Sequence, residues 1–428
     1  IVSIKDSGTI KATLVDSSVI EQADDVTLSA KLTQTLWGQS IGGAIGAVAV
    51  GVSIASITSE GTVETSLGNG VQIGQTVGKT VGDLALALMV TTTGFAQTIA
   101  VAAGAGISAA GADADVDLKR ALKTKIGNNA AIKLSGNLSL SGVSAMDADA
   151  RAIGVAVDLN AAVGISLADA YVKPDIDTYI GTGGTIVAGG TISLLSRHNL
   201  DISGSPLDKS ATVLGVAGGG GVLAAGAGTD VIAEANPTLD TYVGSTTRLQ
   251  ATGAITMQSL AYNRADAQAF GIAISGVLAV GAVLVDANAN GTNSVYLLGN
   301  VTDAAGTGNG AASLTMTAKT ISNATVFGLA LAGGLFGAGA GVDAETQANP
   351  TVNAYIKGCT IRTSGAVLVE ALSETNAETD AYGIAVAAVA IGVSLSDATA
   401  SPTLKAKIGC DAAATPVCST TAVYTTSG

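Results

Sequence analysis

Pro174-Asp-Ile-Asp-Thr-Tyr-Ile-Gly181 decides the reading of this chain, because it recurs. Pro237-Thr-Leu-Asp-Thr-Tyr-Val-Gly244 and Pro402-Thr-Leu-Lys-Ala-Lys-Ile-Gly409 repeat it closely. Pro350-Thr-Val-Asn-Ala-Tyr-Ile-Lys-Gly358 repeats it with one insertion. Copies without proline start at Gly8, Gly61, Arg120 and Gly291. The starts at 8, 61, 120, 174, 237, 291, 350 and 402 lie 53, 59, 54, 63, 54, 59 and 52 residues apart, a period of about 56 over the whole chain. Four of the six prolines share one repeat position. Such self-similarity marks a repeat architecture, so residues 1–428 read as one elongated repeat domain.

Each unit has three parts. The motif itself reads as a short strand, and proline is tolerated at a strand's first residue, where no ladder N–H is needed. A Gly-rich turn then leads into a second strand, as in Gly136-Asn-Leu-Ser-Leu-Ser141 and Gly253-Ala-Ile-Thr-Met-Gln-Ser259. Alternation of period two behind a glycine is a strand signal. The third part is a long Gly/Ala-rich stretch in which Ile153, Val155, Val157 and Leu159, then Val163, Ile165 and Leu167, alternate with small or polar residues. Residues 81–90 alternate too and read as strand. Successive side chains of a strand point to opposite faces, so these strands carry one bulky and one small face. The expectation is that the bulky face lines the interior of a coil. The small face would either let a second sheet or a neighbouring chain approach, or meet solvent.

Units of this size that cannot enclose a core alone must stack. The predicted fold is therefore an all-β repeat solenoid (β-helix) of about eight units, each supplying two or three coils. A row of small β-sandwich modules is the alternative. The apolar segments 40–57 and 328–342 are short for membrane helices, which need about 20 apolar residues. They are also rich in Gly and β-branched residues, which weaken helices. No membrane-spanning segment is expected. A membrane barrel would need aromatic girdles, and aromatics are only 3% of the chain.

The Gly/Ala/Val stretches, each followed by an Ala-x-Tyr-Ile-Gly-like strand, resemble the repeat regions of large secreted bacterial adhesins and filamentous surface proteins. That resemblance implies a β-solenoid, secretion, and a role in adhesion, sheath or fibre formation. It brings no catalytic motif with it.

Composition points the same way. Only 12% of residues are charged, against about 25% in average proteins. The net charge is −13 with no basic stripe to hold phosphates, so nucleic acid is not an expected partner. The expected partners are the chain itself, as a homopolymer or in lateral association, and cell-surface glycans or proteins. The chain begins at Ile1 with no evident leader or anchor, and reads as processed or as a window of a longer repeat protein. The extracellular or cell-surface placement rests on composition.

Three cysteines are present, none in a zinc-binding spacing. Cys410 and Cys418 could close a small disulfide loop, which suits an oxidising compartment. Cys359 is either a small buried residue or an intermolecular linker. Asp113, Asp115 and Asp117, or Asp147 and Asp149, are the carboxylate sets that a carbohydrate-active β-helix would require. However, Asp158, Asp169, Asp286, Asp343 and Asp397 recur at similar rims, which favours a solubilising edge over one active site. No enzyme activity and no cofactor are expected. Ca²⁺ is the ion such rows could hold, and Gly226-Ala-Gly-Thr-Asp230 and Gly337-Ala-Gly-Ala-Gly-Val-Asp343 graze a calcium-binding repeat; a Gly-rich turn with a solvated Asp is the plainer reading. His198 reads as a surface residue. The run 218–221 reads as tight turns or small-face strand, not a phosphate cradle. Asn137, Asn290, Asn300 and Asn323 match the glycosylation acceptor pattern.

Two functions stand beside the structural polymer. One is an adhesin stalk or binding module, and the other is a carbohydrate-active β-helix.

Overall fold

The computed structural model describes residues 1–409 and 421–425. Among them there is no helix, and every pairing between strands is parallel. The fold is a β-solenoid. A row of sandwich modules is ruled out, because one 20-stranded and one 8-stranded sheet run continuously along the molecule.

One coil shows the plan. A long strand, Ile255–Ser275, is followed after a two-residue turn by a return strand, Leu278–Asn288. A third strand, Thr292–Leu297, and a short fourth, Asn300–Val301, complete the circuit. The motif is the third strand of each coil. Its copies pair in order: Thr62↔Ala121, Asp175↔Ala121, Asp175↔Thr238, Thr238↔Thr292, Thr292↔Thr351 and Thr351↔Thr403. These offsets equal the motif spacings. Each unit therefore forms one large coil, not the two or three smaller ones expected from its length. Seven described coils contain the long-strand wall, beginning at Ala23, Val81, Leu138, Ile192, Ile255, Leu314 and Val367; in the fourth it breaks after Ile192–His198 and resumes as Ala211–Gly221.

The cross-section has a wide and a thin lobe. In the wide lobe the start of the long strand, the end of the third strand and the fourth strand enclose columns of large side chains. Leu138, Ile192, Ile255 and Leu314 stack from the first; Ile126, Ile180, Val243 and Leu297 from the second; Ile132, Ile186 and Leu249 from the third. All are fully buried. Each such side chain contributes about 1.5–3 kcal/mol. The fourth strand has only a four-residue alternating signature, such as Thr185–Ala188, and sequence reading passes over it.

In the thin lobe the rest of the long strand and the return strand face each other directly. The core there is almost all alanine, with glycine and serine between. A Cβ built on Gly154 would lie 2.2 Å from the Ile165 carbonyl oxygen, and one on Gly219 would lie 2.2 Å from that of Gly226. The walls touch backbone to backbone, so only small side chains fit between them. The expected orientation is therefore inverted. Ala152, Ala156, Ala162 and Ala168 point inward, while Ile153, Val155, Val157, Val163, Ile165 and Leu167 point out. What approaches the small face is the chain's own return strand.

Asx side chains tie the coils at the corners. Asp83 N–H donates to Asp25 Oδ1 (2.9 Å), Asn137 N–H to Asp83 Oδ1 (2.6 Å) and Thr191 N–H to Asn137 Oδ1 (2.9 Å). A second ladder runs Asn236, Asn290, Asn349 and Ser401, each side-chain carbonyl accepting from the next coil's N–H. The motif's first residue follows each rung of this second ladder directly, at the same corner. Gly61 and Gly291 there have φ of +106° and +109°. Proline, fixed near −65°, cannot adopt that form, so this corner occurs in two conformations.

Candidate functional surface

The outward faces of the thin lobe are the most distinctive surface. On the long-strand flank one column runs Ile99, Ile153, Val216, Phe270 and Leu329. On the return flank the three columns nearest the tip hold only Val, Ile, Leu, Ala and Gly. Segments 38–56, 96–112, 213–229, 267–285, 326–342 and 381–396 contain no charged residue. The tip is bare: Leu335 is 70% exposed, Phe336 68%, Val157 55% and Leu223 53%.

The remaining coil carries two charges there, Arg151 at the edge farthest from the tip and Asp158, which turns inward at the tip. Burial would raise its pKa, but hydrogen bonds from the N–H groups of Asn160, Ala161 and Gly106 and from Ser108 Oγ hold it below the ordinary carboxylate value.

Farther from the tip the return flank becomes acidic. Asp115, Asp169, Asp286, Glu345 and Asp397 occupy one column, interrupted by Ile232. Asp113, Asp230 and Asp343 occupy the column beside it. Burial, reinforced by Asp115, Asp230 and Asp113, pushes Asp169 up to about 6. Asp113, Asp115 and Asp286 are raised for the same leading reason. Asp230 and Asp343 lie within strands, so the Gly-rich segments before them are wall and not turn. Among the described residues no group of three His, Cys, Asp or Glu side chains is placed to hold a metal ion.

The other carboxylates are engaged separately. Asp117 pairs with Lys119, and Asp147 with Lys209 at 3.3 Å. Asp149 receives two hydrogen bonds from Arg151, at 2.9 and 2.6 Å.

The outer face of the third strands carries a ladder that sequence reading saw only as a repeated letter. Tyr179, Tyr242, Tyr296 and Tyr355 stack with centroids 4.6, 4.7 and 5.1 Å apart and planes within 4°. Burial lifts Tyr242 and Tyr296 well above the ordinary phenol value. Lys125 and Lys407 continue the column at either end.

An inserted loop, residues 199–210, accounts for the longest unit. It overhangs a cleft of about 450 Å³ lined by Asp208, Arg264, Asp266, Gln268 and Phe327. Arg264 pairs there with Asp208 (3.3 Å) and Asp266 (2.7 Å).

His198 is not on the surface. It is completely buried, 3.3 Å from Ser144 Oγ, and burial lowers its pKa to about 3. The adjoining insertion hides from sequence that this residue ends an inward-facing run of the wall. Cys359 is buried in the wide lobe with Sγ 3.9 Å from the Leu297 carbonyl, and burial pushes its thiol up to about 12. Cys410 and Cys418 lie outside the described residues. Among the acceptor-pattern asparagines, Asn137, Asn290 and Asn300 use their side-chain carbonyls to bind the next coil.

No family model matches the sequence, and no curated protein matches it. No helix among the described residues is long and apolar enough to cross a membrane.

Proposed function

We propose that this chain is an extracellular structural protein that forms or extends a self-assembling filament, sheath or surface fibre. The observation that carries the reading is the thin lobe, whose two flanks are apolar and uncharged in the three outward columns nearest the tip along seven coils. Monomeric soluble proteins seldom expose contiguous apolar patches beyond a few hundred Å². A rod with two such flanks is suited to burying them in an assembly. The compartment rests on the Gly/Ala/Ser/Thr-rich, charge-poor composition. Negative-stain imaging of the purified chain tests the proposal: uniform fibres or bundles support it, and dispersed single rods at all concentrations overturn it.

The cleft beneath residues 199–210 favours a second reading, a stalk that carries a ligand site. Its Phe327 floor and its Asp208, Arg264 and Asp266 side chains offer apolar and polar contacts together. Glycan-array binding by dispersed rods, lost on Arg264→Ala, would support that reading over the polymer.

A further inference from the structure

The return flank is corrugated with a period of two coils. In the second column from the tip, Val50, Val163, Val280 and Ile391 occupy alternate coils, and Ala109, Gly226 and Gly339 the coils between them. In the third column Gly111, Gly228 and Gly341 again fall on the intervening coils. The motif spacings alternate in step, short then long. The structural repeat is thus a pair of coils.

Nothing inside the molecule requires these glycines. A Cβ on Gly111, Gly228, Gly339 or Gly341 would meet no atom within 4 Å. None of the four has a positive φ. Glycine within a strand costs roughly 0.5–1 kcal/mol relative to alanine. Inside the thin lobe Gly154 and Gly219 are demanded by the opposing wall; these outward glycines keep grooves open toward the exterior.

We infer that the return flank docks against the same flank of a second copy of this chain, the β-branched ridges of one entering the glycine grooves of the other. This rests on the self-assembly reading and names the surface that would perform it. A copy of the chain carries ridges and grooves at the matching period, whereas a lipid surface has none to match. The area is sufficient. At about 4.8 Å per coil and 3.3 Å per residue, seven coils by six residues give roughly 700 Å². A stable interface takes about 600–1,000 Å² from each partner. The contact also leaves out the acidic columns, which begin at the fourth position with Asp113, Asp230 and Asp343. Dry interdigitation of sheet faces at this spacing is the geometry of a steric zipper.

The test uses the full chain, with Gly111→Val, Gly228→Val and Gly341→Val combined. Valine fits the open space and favours strand, so the unfolding midpoint should hold or rise, while sedimentation velocity should show association weakened at least tenfold. If the triple variant fails to fold, Ile165→Lys on an exposed ridge should give the same loss. A monomeric parent protein, unaltered association in the folded variants, or capture by phosphatidylcholine vesicles that separates the pairs would each overturn the inference. Imaging distinguishes it from the filament reading. Single-file filaments without lateral pairing defeat this inference alone, and pairs that never elongate defeat the filament alone.

Discussion

Gly154 faces Ile165 across the thin lobe so closely that a single added methyl carbon would sit 2.2 Å from the opposing carbonyl oxygen. That contact fixes the orientation of the whole lobe, small residues inward and bulky ones outward. Gly154→Ala should destabilise the protein by ~1–3 kcal/mol through overpacking against backbone that cannot swing aside. Equal denaturation midpoints for parent and variant in guanidinium would mean that the walls are farther apart than described.

Arg120 anchors the first coils from within. It is 1% exposed and donates through Nε to Ser59 Oγ (2.9 Å) and through Nη1 to the Gly8 carbonyl (3.2 Å), and it pairs with Asp6. Removing one partner of a buried pair costs about 3–5 kcal/mol. Asp6 is a third exposed and can recover water, so Arg120→Ala should cost about 3 kcal/mol. Arg120→Met, which keeps most of the volume, should cost less. Urea unfolding of both variants gives the comparison, and equal losses would contradict it.

Much of this was legible in the sequence. The motif spacings gave the axial register residue for residue, because a repeat that stacks on itself must pair equivalent positions. The strand at 81–90 and the acidic rim at Asp115, Asp169 and Asp286 were also legible. The orientation of the Gly/Ala stretches was not: alternation separates two faces without telling which is inside. That choice depends on the two-residue link, as between Asp158 and Ala161, which brings the walls into contact. His198 escaped because the inserted loop beside it breaks the alternation, and the fourth strand because four residues carry too little pattern.

Two titrations should pull stability in opposite directions. His198 has a folded pKa of about 3, below its unfolded 6.5. The unfolded state therefore binds more protons between those values, and stability falls by ~1.4 kcal/mol per unit as pH drops through that window. Asp169 is raised to about 6 from 3.8, so the folded state binds the proton more tightly and stability rises as pH falls from 6 toward 4. Thermal unfolding at pH 5 and 7.5 should show a smaller loss at pH 5 in His198→Asn than in the parent, and a larger one in Asp169→Asn. The reverse ordering would contradict the burial of His198 and the crowding of Asp169.

Tyr242 stacks between Tyr179 and Tyr296. Each such contact is worth about 0.5–1.5 kcal/mol beyond its buried area, so Tyr242→Ala should lose about 1–3 kcal/mol. Tyr355, with one tyrosine neighbour, should lose less. Spectrophotometric titration should find the phenols of Tyr242 and Tyr296 ionising only with unfolding. Their ordinary titration in the folded protein would exclude the ladder.

The central claim is that one unit makes one coil. Asp240 and Ser294 lie side by side in register, 54 residues apart in the chain. Cysteines placed at both positions should oxidise readily to an intramolecular disulfide, since adjacent in-register strands lie within bridging range. Cysteines at Asp240 and Gln268, half a unit apart, should not. Efficient bridging of the 240/268 pair with none for 240/294 would mean that each unit winds more than once, and would contradict the fold.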